Sequence, residues 1–248
     1  MTADILAVMW KERRGLLLHR GSRKRAMLTV LIPVIMLSVY FPWQIGADWV
    51  HSPWSFLASA LVPMILVSLA IPESFAGERE RHTLETLLAS RLPDRAILYG
   101  KMAVAVGFAW LAGIVVLFLG LIVVNVVHWE GYLMVYPPGI ALGNLALGLI
   151  VAMLGAGAGV VISLRAATVQ EAQQTMMAAI MFPPLLLAVL TTAVVTANEE
   201  WLDAVRDLFG HLSSWQGILA VLAVLLALDL LLLRWAAARF QRGRLILH

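Results

Sequence analysis

Of 248 residues, 61% are hydrophobic and only 13% are Asp, Glu, Lys or Arg, with a mean hydropathy of +0.88. A soluble domain carries about 25% charged residues, so an ordinary water-soluble fold is excluded. The chain has no cysteine, which excludes a disulfide framework, a thiolate metal site and a Cys nucleophile; the net charge of +3 matters less than where the charges fall.

The first 25 residues hold seven Lys or Arg and no apolar core ending in a small-residue cleavage site, so no signal peptide is expected. Residues 3–20 read as an amphipathic helix. Ile5, Val8, Met9, Leu16 and Leu17 share one face, opposed by Lys11, Arg13, Arg14 and Arg20. Such a helix lies in a membrane interface, apolar side down, with its cations toward anionic headgroups. It serves as a topology anchor or ties the bundle to a cytosolic partner.

Six runs are long and apolar enough to cross a bilayer, which takes roughly 20 residues. They cover 26–46, 54–72, 102–127, 138–163, 175–197 and 215–235. Pro33 and Pro63 fall inside the first two, and spanning helices tolerate proline. The connections alternate sharply in charge: 17 of the 18 Lys and Arg fall on one set, the termini included, and one on the other. The positive-inside rule puts that set, and both termini, in the cytosol. Trp43, Trp49, Trp54, Trp129, Trp201, Trp215 and Trp235 lie near span ends, as interfacial anchors do.

The chain thus reads as an all-α integral membrane protein, one transmembrane domain over 1–248. It divides into a cytosolic amphipathic helix (1–25), spans one and two (26–72), a cytosolic segment (73–101) and spans three to five (102–197). An external amphipathic helix (198–214), span six (215–235) and a cytosolic tail (236–248) complete it.

The segment between spans two and three is the densest in charge. Phe75 to Glu85 contain Glu78, Arg79, Glu80, Arg81, His82 and Glu85, around an apolar ridge of Leu84, Leu87 and Leu88. Pro93 stops that helix and Asp94 is placed to cap the next. Mixed signs suit a protein groove better than plain lipid binding, which favours cationic faces. The bland alternative is a solvated linker. Glu78, His82 and Glu85 share a face, but they fit the docking surface better than a metal site.

Within span four, LGAGAGV (154–160) follows no strand, so its glycines read as helix packing rather than nucleotide binding. Gly155 and Gly159 form a GxxxG pair, continued by Gly148, Ala152 and Ala156. Pro183 and Pro184 break span five, as a static kink or as a hinge in a translocation path. Asp229 is the only acid well inside a span; it serves an interhelical hydrogen bond or a substrate or ion contact. Asn125 is a second polar candidate near the outer end of span three. Residues 198–212 read as an external amphipathic helix, from Asn198 to Gly210. His51, His128 and His211 occupy different external loops with no metal-ligand spacing.

The sequence resembles the membrane subunits (permeases) of ABC transporters of the type-2 export class. Three stretches carry the resemblance: WKERRGLLLHRGSRKRAML before span one, FAGERERHTLETLLASRLPDRAILYGK after span two, and ISLRAATVQEAQQTMM before span five. The second is the most specific; His82 departs from it, standing where the family commonly has Gly. The resemblance implies a six-span exporter subunit in a prokaryotic plasma membrane. In it the first helix is an elbow with the Lys11–Glu12 pair, and 73–95 contains a coupling helix docked in an ATPase groove. Phe75, Glu78, Arg79, Glu80, Arg81, Leu84, Glu85, Leu87 and Leu88 would carry that contact. It further implies two ATPase subunits, a second permease copy (identical or different), and a helix at the outer mouth before span six. The chain has no phosphate loop; Gly100-Lys101 lacks the upstream Gly at the required spacing. ATP and Mg would sit on the partner, with no cofactor in this chain, and no nucleic-acid partner is expected. The rival readings are a subunit for lipid-linked or polysaccharide cargo, an ion-coupled secondary transporter, and an intramembrane enzyme, which the lack of His within spans disfavours.

Overall fold

The structure is a computed structural model that describes residues 2–18, 31–83, 91–180, 182 and 214–240. Among the described residues it is all helical, without strands. α1 covers Thr2–Leu18, α2 Leu31–Ile45, α3 Asp48–His51 and α4 Ser55–Glu80. They are followed by α5 Asp94–Val127, α6 Pro138–Ser163, α7 over 169–180 and α8 Ser214–Arg239. Among the described residues, four helices are long and apolar enough to cross a membrane: α4, α5, α6 and Leu219–Arg239 of α8. The chain is a multi-pass, membrane-embedded helical protein.

These four correspond to expected spans two, three, four and six. Span one is described from Leu31 as the shorter apolar helix α2. Its Met36–Tyr40 section is π-helical, with the Phe41 N–H bonded to the Met36 carbonyl. That section ends just before Pro42, which has no N–H to continue the ordinary ladder. Span five lies largely outside the described residues, as do Pro183, Pro184 and the expected external helix at 198–212.

Boundaries on both sides of the charged segment differ from expectation. α4 runs past Pro72 to Glu80, and α5 begins at Asp94 rather than Met102. Charge marks where the apolar run ends, but the backbone ladder continues because the flanking residues are good helix formers. Pro93, in extended conformation, takes the cap position of α5, and Asp94 sits in the first turn instead, where an acid suits the helix dipole.

α4 is the centre of the bundle, packed between α5 and α6. Small residues on α6 permit the close approach. A Cβ at Gly155 would lie 3.4 Å from Val67, and one at Gly159 would lie 2.9 Å from Ile71. The GxxxG pair is therefore a packing face, as its spacing suggests. α8 leans on the same helix, where a Cβ at Gly157 would meet Leu232 at 3.2 Å.

Trp43, Trp54, Trp129 and Trp235 are exposed, as interfacial anchors should be. Trp49 corrects that expectation: it is fully buried. The Gly46 turn (φ 66) folds α3 inward, and Trp49 fills the space beside Gly120, where a Cβ would sit 2.9 Å from its indole nitrogen.

Candidate functional site

A cluster of polar groups lies at the charged end of the bundle, where α1, α4, α5 and the α6–α7 connection meet. Lys101 is at the centre, 1% exposed. Its ammonium donates to Glu12 Oε1 at 2.8 Å and to the Ser74 carbonyl at 2.8 Å, and lies 3.0 Å from Glu78 Oε1. It also stands 5.5 Å from the centre of the Phe75 ring. A lone buried ammonium is very costly; here two carboxylates and a carbonyl compensate it. Lys11 approaches the same Glu78 oxygen at 3.3 Å, while Glu78 Oε2 is buried without a hydrogen-bond partner.

The next residues of α4 turn the other way. Arg79 donates to the carbonyls of Leu164 and Ala166, the latter at 2.9 Å. These carbonyls follow the end of α6, where a cation is favoured by unsatisfied acceptors and by the helix dipole. Glu80 accepts from the Val169 N–H at 3.1 Å, at the start of α7, and Glu171 accepts from the Ala167 N–H at 2.8 Å. Both carboxylates serve donors at a helix start. Arg81 pairs with Glu73.

α4 then ends in a Schellman arrangement. The Thr83 N–H bonds to the Glu78 carbonyl and the His82 N–H to the Arg79 carbonyl, both at 2.9 Å. His82 takes the left-handed conformation, φ 56, alone among the described non-glycine residues. That is the position where glycine is ordinarily preferred.

The expected site residues are thus distributed unevenly. Lys11, Glu12, Glu78, Arg79, Glu80 and Arg81 are brought together, but onto partners within this chain. Phe75 is a core residue, 2% exposed and edge-on to Phe240 at 5.8 Å. Phe75 to Glu80 complete the spanning helix α4. Leu84, Glu85, Leu87 and Leu88 lie outside the described residues. Sequence reasoning counted Lys101 as a loop cation and missed Ser74 altogether. A signal existed: Glu12 is an acid amid cations, and Lys101 directly precedes a long apolar run.

Asn125 pins the outer loop. Its side chain donates to the Met134 carbonyl at 2.9 Å and accepts from the Met134 N–H at 2.8 Å, the exchange a neighbouring backbone would make. Tyr136, in the same loop, donates to the Leu117 carbonyl at 3.1 Å, and burial pushes its phenol up to about 12. Asp229 is fully buried on α8, and among the described residues neither of its carboxyl oxygens has a hydrogen-bond partner. Among the described residues, no three His, Cys, Asp or Glu gather as a metal site.

Comparison with known protein families and with characterised proteins yields no match to this chain.

Proposed function

We propose that the chain is the membrane subunit of an ATP-driven exporter of the type-2 ABC class. In this reading it sits in a prokaryotic plasma membrane with both termini in the cytosol. It pairs with a second permease, identical or different, and with two copies of a separate ATPase subunit that binds ATP and Mg. The observation that carries the reading is the convergence at the end of α4. Glu78, Arg79 and Glu80 tie the last turns before the 81–93 connection to α1, α5 and the α6–α7 connection. A push on that connection therefore reaches every helix that meets there. Glu78 to Arg81 act as transmission, while Leu84, Glu85, Leu87 and Leu88 supply the contact with the ATPase.

The test is co-expression with phosphate-loop ATPases encoded beside the gene, followed by co-purification and ATP hydrolysis. Leu87→Ala should weaken binding. Arg79→Gln should leave binding intact and uncouple hydrolysis from the membrane subunit. Failure of every candidate ATPase to bind would remove the engine from this reading. Asp229, buried without a hydrogen bond, favours one alternative, an ion-coupled transporter that works without an ATPase; ion-gradient-driven uptake into vesicles would then be measured.

A further inference from the structure

α2 and α5 leave a groove between them at the end of the bundle away from Lys101. Val39 and Trp43 of α2 and Ile122, Val123, Val126 and Val127 of α5 line it, around a volume of about 290 Å³. Val39 belongs to the π-helical section Met36–Tyr40. The i→i+5 hydrogen bonds of such a section widen the turn, and sections of this kind recur at functional sites.

The groove has a definite depth. Val127 is the last residue of α5, and Glu130 is the first Asp, Glu, Lys or Arg after Lys101. The headgroups begin at that change. From Ile122 to Val127 the helix rises about 8 Å, within a hydrocarbon core about 30 Å thick. The groove therefore lies in the leaflet away from Lys101, beside the headgroup end of its acyl chains. Val126 is 74% exposed and Trp43 53%; at this depth their open sides face lipid chains and not water.

The lining decides what can enter. The Trp43 indole nitrogen is the only polar side-chain atom among the six residues, so a charged or sugar-like ligand would lose its hydration without gaining partners. The lining also contains no Gly, Ala, Ser or Thr. Membrane helices approach one another across small residues, as α6 does on α4 through Gly155 and Gly159. Branched side chains and a broad indole do not offer a second copy that close approach. A flexible methylene chain follows such a surface, and it restores the dispersion contacts that an empty groove forfeits.

We propose that this groove binds one acyl chain of a bilayer phospholipid, by its headgroup-proximal part, as a fixed component of the α2–α5 contact. The site depends on the membrane character of the chain and not on the ATPase reading, so each can fail alone.

The full-length protein is reconstituted in phosphatidylcholine vesicles that contain a phosphatidylcholine with a diazirine on the upper part of one chain. After irradiation, the labelled positions are mapped by peptide mass spectrometry. Leu219 and Val221, exposed apolar residues near the start of α8, give the level of labelling by bulk lipid. Labelling of Ile122–Val127 should exceed that level several-fold. The excess should vanish when the diazirine is moved to the methyl end of the chain. Val126→Trp, which fills the groove, should bring labelling down to the bulk level, whereas Val126→Ala should keep it high. Val126 is exposed, so neither change disturbs the core. Three results overturn the proposal: equal labelling of the groove and of Leu219 and Val221, labelling that ignores Val126→Trp, or a disulfide-linked dimer on oxidation of Val126→Cys, which would put a second copy in the groove. The chain has no other cysteine to confuse that last result.

Discussion

His82 holds a left-handed backbone that costs an L-residue with a Cβ roughly 1–2 kcal/mol. The position ends α4 with both Schellman hydrogen bonds in place, where glycine is ordinarily preferred. His82→Gly is therefore expected to raise the melting temperature in detergent, by about 1 kcal/mol of stability after glycine's own entropy cost. His82→Val, β-branched, should lower it; an unchanged or lower melting temperature for His82→Gly would mean that the helix end is not held this way. Lys101 is a stronger case. Lys101→Met strands two carboxylates, Glu12 and Glu78, at a buried site, and breaking such a cluster from one side costs about 3–5 kcal/mol. Combining it with Glu12→Gln and Glu78→Gln should recover most of that loss, because the charges then leave together. If the triple variant melts as low as the single one, Lys101 acts through packing and not through charge. None of this could be read locally. Lys101 and Glu12 are 89 positions apart, and periodicity says nothing about such a pair. A positive φ at a histidine likewise leaves no mark in the sequence.

Helices were far more legible than their contacts. The GxxxG pair on α6 is a local pattern, and the steric demand for small residues against α4 makes it work. Span limits followed charge, and charge misled at α4, because the ladder carries Glu73 to Glu80 beyond the apolar run. Trp49 misled for a related reason. Aromatics near span ends usually face the interface, but the turn at Gly46 folds this one under the outer loop. α8 brings a further prediction. Only 11% of its spanning window is buried, yet Asp229 lies on the buried side with neither oxygen hydrogen-bonded. Inserting an acid at a helix centre costs roughly 2.5–3.5 kcal/mol, and no hydrogen bond among the described residues offsets it. Asp229→Leu should accordingly raise the melting temperature. If transport is lost in the same variant, Asp229 is kept for function at the expense of stability. A lower melting temperature would reveal a hydrogen-bond partner and return Asp229 to a structural role.

At the scale of the whole molecule, charge asymmetry and the polar cluster describe the same end of the bundle. Lys and Arg sit almost entirely on the connections that include the termini, and this is the signal that fixes orientation during insertion. The same end holds Lys101, Arg79 and Arg81 with their partners. Among the described residues of the opposite end, Asn125 holds Met134, Tyr136 holds Leu117, and Trp49 is buried. An insertion machinery that retains cations on one side would thus deliver every member of the cluster to a single compartment, where the members can find one another. Cysteine scanning tests this directly, since the chain has none of its own. A cysteine at Gly131, in the exposed turn after α5 (φ 87), should react with a membrane-impermeant maleimide in intact cells. Cysteines at His82 and Arg165, exposed at the other end, should react only after the membrane is opened. Labelling of Gly131→Cys and His82→Cys from the same side would show that α5 does not cross, and the charged cluster would then lose its compartment as well as its place in the mechanism.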